Sequence, residues 1–201
     1  MYDWRKMTDR ERQEALAARQ AERRPWHGPP HQVTDERFYH LHAACYEHAP
    51  FLGLSVARMA DFESELLNLL KSCCERVHAW CILPNHYHLL VETPGLKLTT
   101  GALGRLHGRT SFLWNREEGK RGRQVWHRCP DRAIRSQAHY WATMNYVHNQ
   151  PVRHGLCTRW DQWPFSSAKD FLEAVGREEA RRIWRAFPLL DYGKGWDDPE
   201  Q

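Results

Sequence analysis

An α+β fold, an antiparallel sheet with helices on one face, is what this sequence predicts, and three observations lead to it. Runs with period-2 alternation, such as "RFYHLHAACYE" and "HYHLLVET", are interleaved with longer runs whose apolar residues recur at helical spacing. Two of the strand runs are separated only by "LPN", which makes a tight antiparallel turn. The elements then read strand, helix, strand, strand, helix, strand, which is the ferredoxin-like (RRM-like) arrangement.

Taken in order, "TDRERQEALAARQAERR" (8–24) opens on a Thr8 cap, is rich in helix formers and poor in large apolar residues, and predicts an exposed helix. "PWHGPPH" (25–31) is a linker, since its prolines and glycine cannot continue a helix, and the folded domain is expected to begin near Val33. "RFYHLHAACYE" (37–47) predicts the first strand. Residues 60–77 place Phe62, Leu66, Leu69, Leu70 and Cys73 at helical spacing behind an Asp61 cap, which predicts a first core helix. "VHAWCI" (77–82) and "HYHLLVET" (86–93) supply the second and third strands. A second helix is expected from a Thr99 or Thr100 cap to about Asn115, with Leu103, Leu106, Phe112 and Leu113 as its apolar residues. After the basic loop "REEGKRGRQ", "VWHRCPDRAI" (125–134) gives the fourth strand. "SQAHYWATMNYVHNQP" (136–151) is a third helix, capped by Ser136 and stopped by Pro151. Two short helices in "WDQWPFSSAKDFLEA" and "REEARRIWRAF" precede an acidic tail.

Composition narrows the function. No apolar run approaches the roughly 18 residues of a membrane span, and the charged N-terminus lacks a signal-peptide core, so a cytoplasmic protein is expected. Cys45, Cys73, Cys74, Cys81, Cys129 and Cys157 include no two-residue-spaced pair, which suggests neither a zinc finger nor a disulfide framework. Net charge is only +4, yet all but six of the 29 basic residues are arginine, the better fork for phosphate and the better plane for stacking on bases. From Arg105 to Arg135 nine basic residues face Glu117, Glu118 and Asp131 alone. That patch points to a polyanion, nucleic acid first, with a solvated basic face as the bland alternative. Arg105, Arg109, Arg128 and Arg135 are the candidates for phosphate contacts, and Trp126 for base stacking.

The chemistry centres on "ILPNHYHLLVE" (82–92). Successive strand side chains point to opposite faces, so His86 and His88 share one, where two imidazoles can converge on a divalent ion. The spacing alone does not establish a metal, since thirteen histidines also produce the pair His40 and His42. On the third helix Tyr146 and Gln150 are four residues apart and share a face, so a phenol and an amide carbonyl can reach one ion or one phosphate; Tyr140 is turned about 240° away.

"HAWCILPNHYHLLVET" resembles the His-hydrophobic-His motif of the single-tyrosine HUH transposases, and "NYVHNQPVRHGL" (145–156) resembles their tyrosine helix. "WDQWPFSSAKDFL" (160–172) is similar to the segment that trails that helix in the REP-associated tyrosine transposases, chromosomal relatives of the insertion-sequence enzymes. The resemblance covers residues 33–173, leaving 1–32 as a helical extension and linker and 174–201 as a C-terminal helix and tail. It implies His86, His88 and Gln150 as ligands of Mg2+ or Mn2+ and Tyr146 as the nucleophile. The implied reaction nicks and rejoins single-stranded DNA near REP-type hairpins through a 5′-phosphotyrosine, exchanging one phosphodiester for another and so needing no nucleotide cofactor. A monomer is expected, as the chromosomal relatives imply, with the dimer of the insertion-sequence relatives as the alternative. Asn149 is an alternative third ligand, because Gln150 precedes Pro151. His40 and His42 match no functional position of the family, though first and third strands are neighbours in such a sheet. Two other readings stay open: a domesticated hairpin-binding regulator that does not cut, and a zinc hydrolase in which Tyr146 is a bystander.

Overall fold

The computed structural model describes Thr8, Arg10, Glu14 and residues 37–193. The helix expected over 8–24 and its linker lie largely outside the described residues; Arg10 and Glu14 are helical and ion-paired at 2.9 Å. The chain divides into the units Met1–Asp35 and Glu36–Gln201, and the elements below all belong to the second.

Four strands, β1 (Phe38–Ala44), β2 (Arg76–Ile82), β3 (His86–Glu92) and β4 (Asp131–Ala133), form one antiparallel sheet in the order β2-β3-β1-β4. With α1 (Val56–Cys73) after β1 and α2 (Leu96–Glu117) after β3, this is the ferredoxin-like order that the sequence predicts. The alternation of β1 and β3 sorts their side chains. Tyr39, Leu41, Ala43, Tyr87, Leu89 and Val91 pack with Phe62, Leu66, Leu70, Leu103 and Leu106 of α1 and α2. Each fully buried leucine there, such as Leu66 or Leu70, contributes about 1.5–3 kcal/mol. The opposite face carries His40, His42, His86, His88 and Leu90, and α3 (Gln137–Arg153) packs across it through Met144, Tyr146 and Val147.

Helix α1 begins earlier than its pattern suggests because Ser55, not Asp61, is the cap: Ser55 Oγ accepts from the Arg58 amide at 3.1 Å. Helix α2 also begins early, at Leu96, with Thr99 turned inward to bond Thr93 Oγ1 at 2.9 Å instead of capping. Strand β4 keeps only three of the ten residues expected. Pro130 has no N–H to donate, and Trp126 makes an isolated bridge with Cys45. Helix α3 is capped by Ser136 as expected, its Oγ accepting from His139 N at 3.0 Å. Pro151 does not end it; buried in the last turn, it is followed by Val152 and Arg153 before His154 N closes on Gln150 O at 3.0 Å.

Two short helices, α4 (Ala168–Val175) and α5 (Arg177–Ala186), pack together through Phe171 and Trp184, stacked 5.2 Å apart. The segment before α4 runs along the outer edge of β2: Ile82 N donates to Phe165 O at 2.9 Å and Ser167 N to Trp80 O at 3.0 Å. All six cysteines are free, and among the described residues no helix is long and apolar enough to cross a membrane.

Candidate functional site

Strand β3 and the turn before it orient the histidine pair. Asn85 donates from Nδ2 to His48 O at 3.0 Å, which directs its Oδ1 to His86 Nδ1 at 2.7 Å. An amide oxygen can only accept, so Nδ1 of His86 carries the proton and its lone pair lies on Nε2. His86 Nε2 and both amide atoms of Gln150 are buried without a well-formed hydrogen bond, although the Gln150 amide lies close enough to act on the His86 ring. Buried polar atoms are rarely left so, and a site lined by an imidazole nitrogen and an amide oxygen fits a divalent cation. His88, on the same face, bonds through Nδ1 to His40 Nε2 at 3.1 Å, and its ring meets His86 edge-on at 5.0 Å.

Burial keeps these rings neutral. It pushes His86 down to about 3, helped by the neighbouring His154, His42 and His48, while the Gln150 amide works the other way. His88 and His40 are held well below the usual imidazole range, again chiefly by burial and then by the surrounding histidines. A neutral imidazole keeps a lone pair for a cation.

Tyr146 projects from α3 onto this cluster, its ring edge-on to His88 with centroids 5.3 Å apart and to His40 at 5.7 Å. It is fully buried. Tyr192 packs edge-on at 5.6 Å, Arg153 lies over the ring at 5.1 Å, and Gly193, at φ +75°, sits so close that a Cβ there would overlap the ring. Tyr192 is anchored by its hydroxyl to Thr143 Oγ1 and, at 3.1 Å, to His139 Nε2. Tyr140 lies elsewhere, bonded to His78 Nδ1 at 2.9 Å and packed on Phe38. Of the two candidate third ligands, Gln150 faces His86, whereas Asn149 turns back on its own helix to donate to Asn145 O at 3.0 Å.

The basic candidates are dispersed. Arg105 and Arg109 are exposed on α2, which packs on the other side of the sheet, and Arg109 is tied to Glu65 at 2.6 Å. Arg128 and Arg135 are exposed on the loops flanking β4. Trp126 corrects its expectation as a stacking platform. It is a core residue, stacked on His107 at 4.4 Å, in contact with Phe62 and Trp114, and donating Nε1–H to Thr110 Oγ1 at 3.0 Å.

Sequence reasoning passed over Arg132, Arg153, His154 and Tyr192. Arg132 stands opposite His40 in the β1–β4 register, and its charge reaches Tyr146 and Tyr192. Arg153 is seven residues from Tyr146, two helical turns along one face, and His154 is four from Gln150 and meets the His86 ring edge-on at 4.8 Å. Those spacings were available signals; nothing in the spacing of Tyr192 marks it.

Neither a family model nor a curated protein matches this sequence. The likeness is one of structure: the chain has the fold of a REP-associated tyrosine transposase solved bound to a REP hairpin, at a TM-score of 0.54 and 16% identity over 83% of this chain and 91% of that one.

Proposed function

We propose that this chain is a metal-dependent DNA strand-transfer enzyme of the REP-associated tyrosine transposase kind, acting on single-stranded DNA beside a hairpin. The observation that carries the reading is the meeting of Tyr146 with His88, next to the buried polar atoms of His86 and Gln150. The fold shared with a hairpin-bound transposase supports it.

In this reading His86, His88 and Gln150 hold Mg2+ or Mn2+, whose chemistry when bound is to polarise and orient a scissile phosphate. Tyr146 Oη attacks phosphorus in line. One P–O bond forms to the phenol and one breaks to the 3′ oxygen, which leaves as a 3′-hydroxyl once protonated. The phenolic proton departs to solvent or to a neighbouring imidazole, and Arg153 and Arg132 favour the negative charge that develops on the phenol. A phosphodiester is exchanged for a phosphodiester, so the step reverses without a nucleotide cofactor. DNA can reach Tyr146 only if Tyr192 and Gly193 withdraw.

That cover on Tyr146 favours a second reading, a hairpin-binding protein that does not cut. The two part on one experiment. The protein is incubated with 3′-end-labelled hairpin DNA and Mn2+ and examined under denaturing conditions. The enzyme reading expects labelled protein from the wild type and from Tyr140→Phe but none from Tyr146→Phe. Hairpin binding with no adduct from any variant supports the regulator. Cleavage that survives Tyr146→Phe points to a hydrolase.

A further inference from the structure

We propose that His40, His42 and His88 form a second metal site, built of three imidazole nitrogens, that takes a late first-row ion such as Zn2+ and competes with the His86–His88–Gln150 site for His88. The sheet register builds it. His42 stands directly opposite His88, and His40 lies two residues along the same face of β1. The three rings are nearly parallel, with centroids 5.3–5.8 Å apart. One nitrogen from each lies within 4.8 Å of the others, and the His40 Nε2 to His88 Nδ1 distance is already 3.1 Å.

A tetrahedral zinc ion with ~2.0–2.1 Å bonds separates its nitrogen ligands by ~3.3 Å. The widest gap must therefore close by no more than ~1.5 Å, a movement that small side-chain rotations supply. Three imidazoles and no oxygen suit zinc, copper or nickel and offer little to magnesium or manganese. A fourth position is left for water or another small ligand. The Arg132 guanidinium opposite His40 works against a dication, so affinity should fall below that of closed four-ligand zinc sites.

The competition follows from the ring itself. A neutral imidazole has one N–H and one lone pair. The triad engages His88 through Nδ1, which faces His40; the ring nitrogen left for the His86 site is then Nε2. With the triad filled, the proton of His88 sits on Nε2 and the other site loses a ligand. This competition rests on the function proposed above; metal binding by the triad does not.

The test uses the metal-free full chain and no DNA, so its outcome is separate from that of the adduct experiment. Co2+, a spectroscopic stand-in for Zn2+, is titrated into wild type, His42→Ala and His86→Ala, and each is melted with and without Zn2+. His42 is only partly buried, and the metal-free melt shows whether its variant folds. Wild type and His86→Ala should develop the visible bands of tetrahedral Co2+ and a Zn2+-dependent rise in melting temperature. His42→Ala should bind at least about tenfold more weakly. No binding by wild type, equal binding by His42→Ala, or loss of the bands in His86→Ala would each overturn the site.

Discussion

Tyr146 and His88 meet edge to plane, their centroids 5.3 Å apart and their planes at 86°. One comes from α3 and the other from β3, so the contact exists only because α3 lies across the histidine face of the sheet. Whatever loosens that packing separates the phenol from the imidazoles.

Gln150 should be a costly residue in the metal-free protein. Both of its amide atoms are buried without a well-formed hydrogen bond, an arrangement that costs about 1–3 kcal/mol. Gln150→Leu is expected to raise metal-free stability by about 1–2 kcal/mol in urea unfolding and to remove any stabilisation by Mn2+. A destabilised variant that still responds to Mn2+ would refute the assignment of Gln150 as a ligand.

Gly193→Ala should uncover Tyr146. The new Cβ would overlap the ring, and φ +75° disfavours alanine in any case, so the Tyr192–Gly193 stretch must move. Nitration of Tyr146, read by peptide mass, is expected to be faster in this variant than in the wild type. Equal nitration rates would mean that the segment does not guard the ring.

Acid should weaken the fold well before its carboxylates protonate. Burial holds His148, bonded to Ser167 Oγ at 3.0 Å, down to about 3, and His107, bonded to Tyr87 Oη at 2.9 Å, down to about 4. Unfolded, both titrate near ~6.5, so between that pH and their folded values the unfolded chain binds more protons. Stability is then complete above pH ~6.5 and falls as the pH drops through the window, by up to about 1.4 kcal/mol per pH unit for each ring. Urea midpoints measured from pH 7.5 to pH 4.5 should show the fall, and His148→Gln should flatten it. A pH-independent midpoint in wild type would contradict it.

Arg132 and Arg109 should differ in their effect on hairpin affinity. Arg132 stands opposite His40 on the histidine face and its charge reaches Tyr146, whereas Arg109 sits on α2, which packs on the other side of the sheet. Arg132→Ala is expected to weaken binding and to reduce the salt-dependence slope by about 1, with Arg109→Ala changing either quantity much less. The reverse order would move the DNA path to the α1–α2 side of the sheet.

Alternation in "RFYHLHAACYE" and "HYHLLVET" was enough to read the sheet, because one face of each strand is a continuous apolar stripe. What it could not supply were boundaries set by distant partners. Arg58, which looks polar and out of place near the start of α1, is held by Glu117 and Glu118 at the far end of α2 at 2.9 and 2.7 Å. Trp126 looked free to stack on a base because its pocket of Phe62, His107 and Trp114 is assembled from two helices. In the site, the His86 and His88 pair and the Tyr146 to Gln150 spacing were visible as local periodicities. The approach of His40 and His42 to His88 depends on strand register, and the cover by Tyr192 and Gly193 on chain return, and neither is encoded locally.

The pairing of residues 165–167 with Trp80–Ile82 covers the second half of the outer border of β2. An open border of backbone amides and carbonyls is an invitation to strand addition, and here the segment leading into α4 has already answered it. The opposite border, β4, is three residues long, too brief to template much pairing. Among the described residues, the strand border left for fusing sheets end to end is short, confined to β4 and the start of β2.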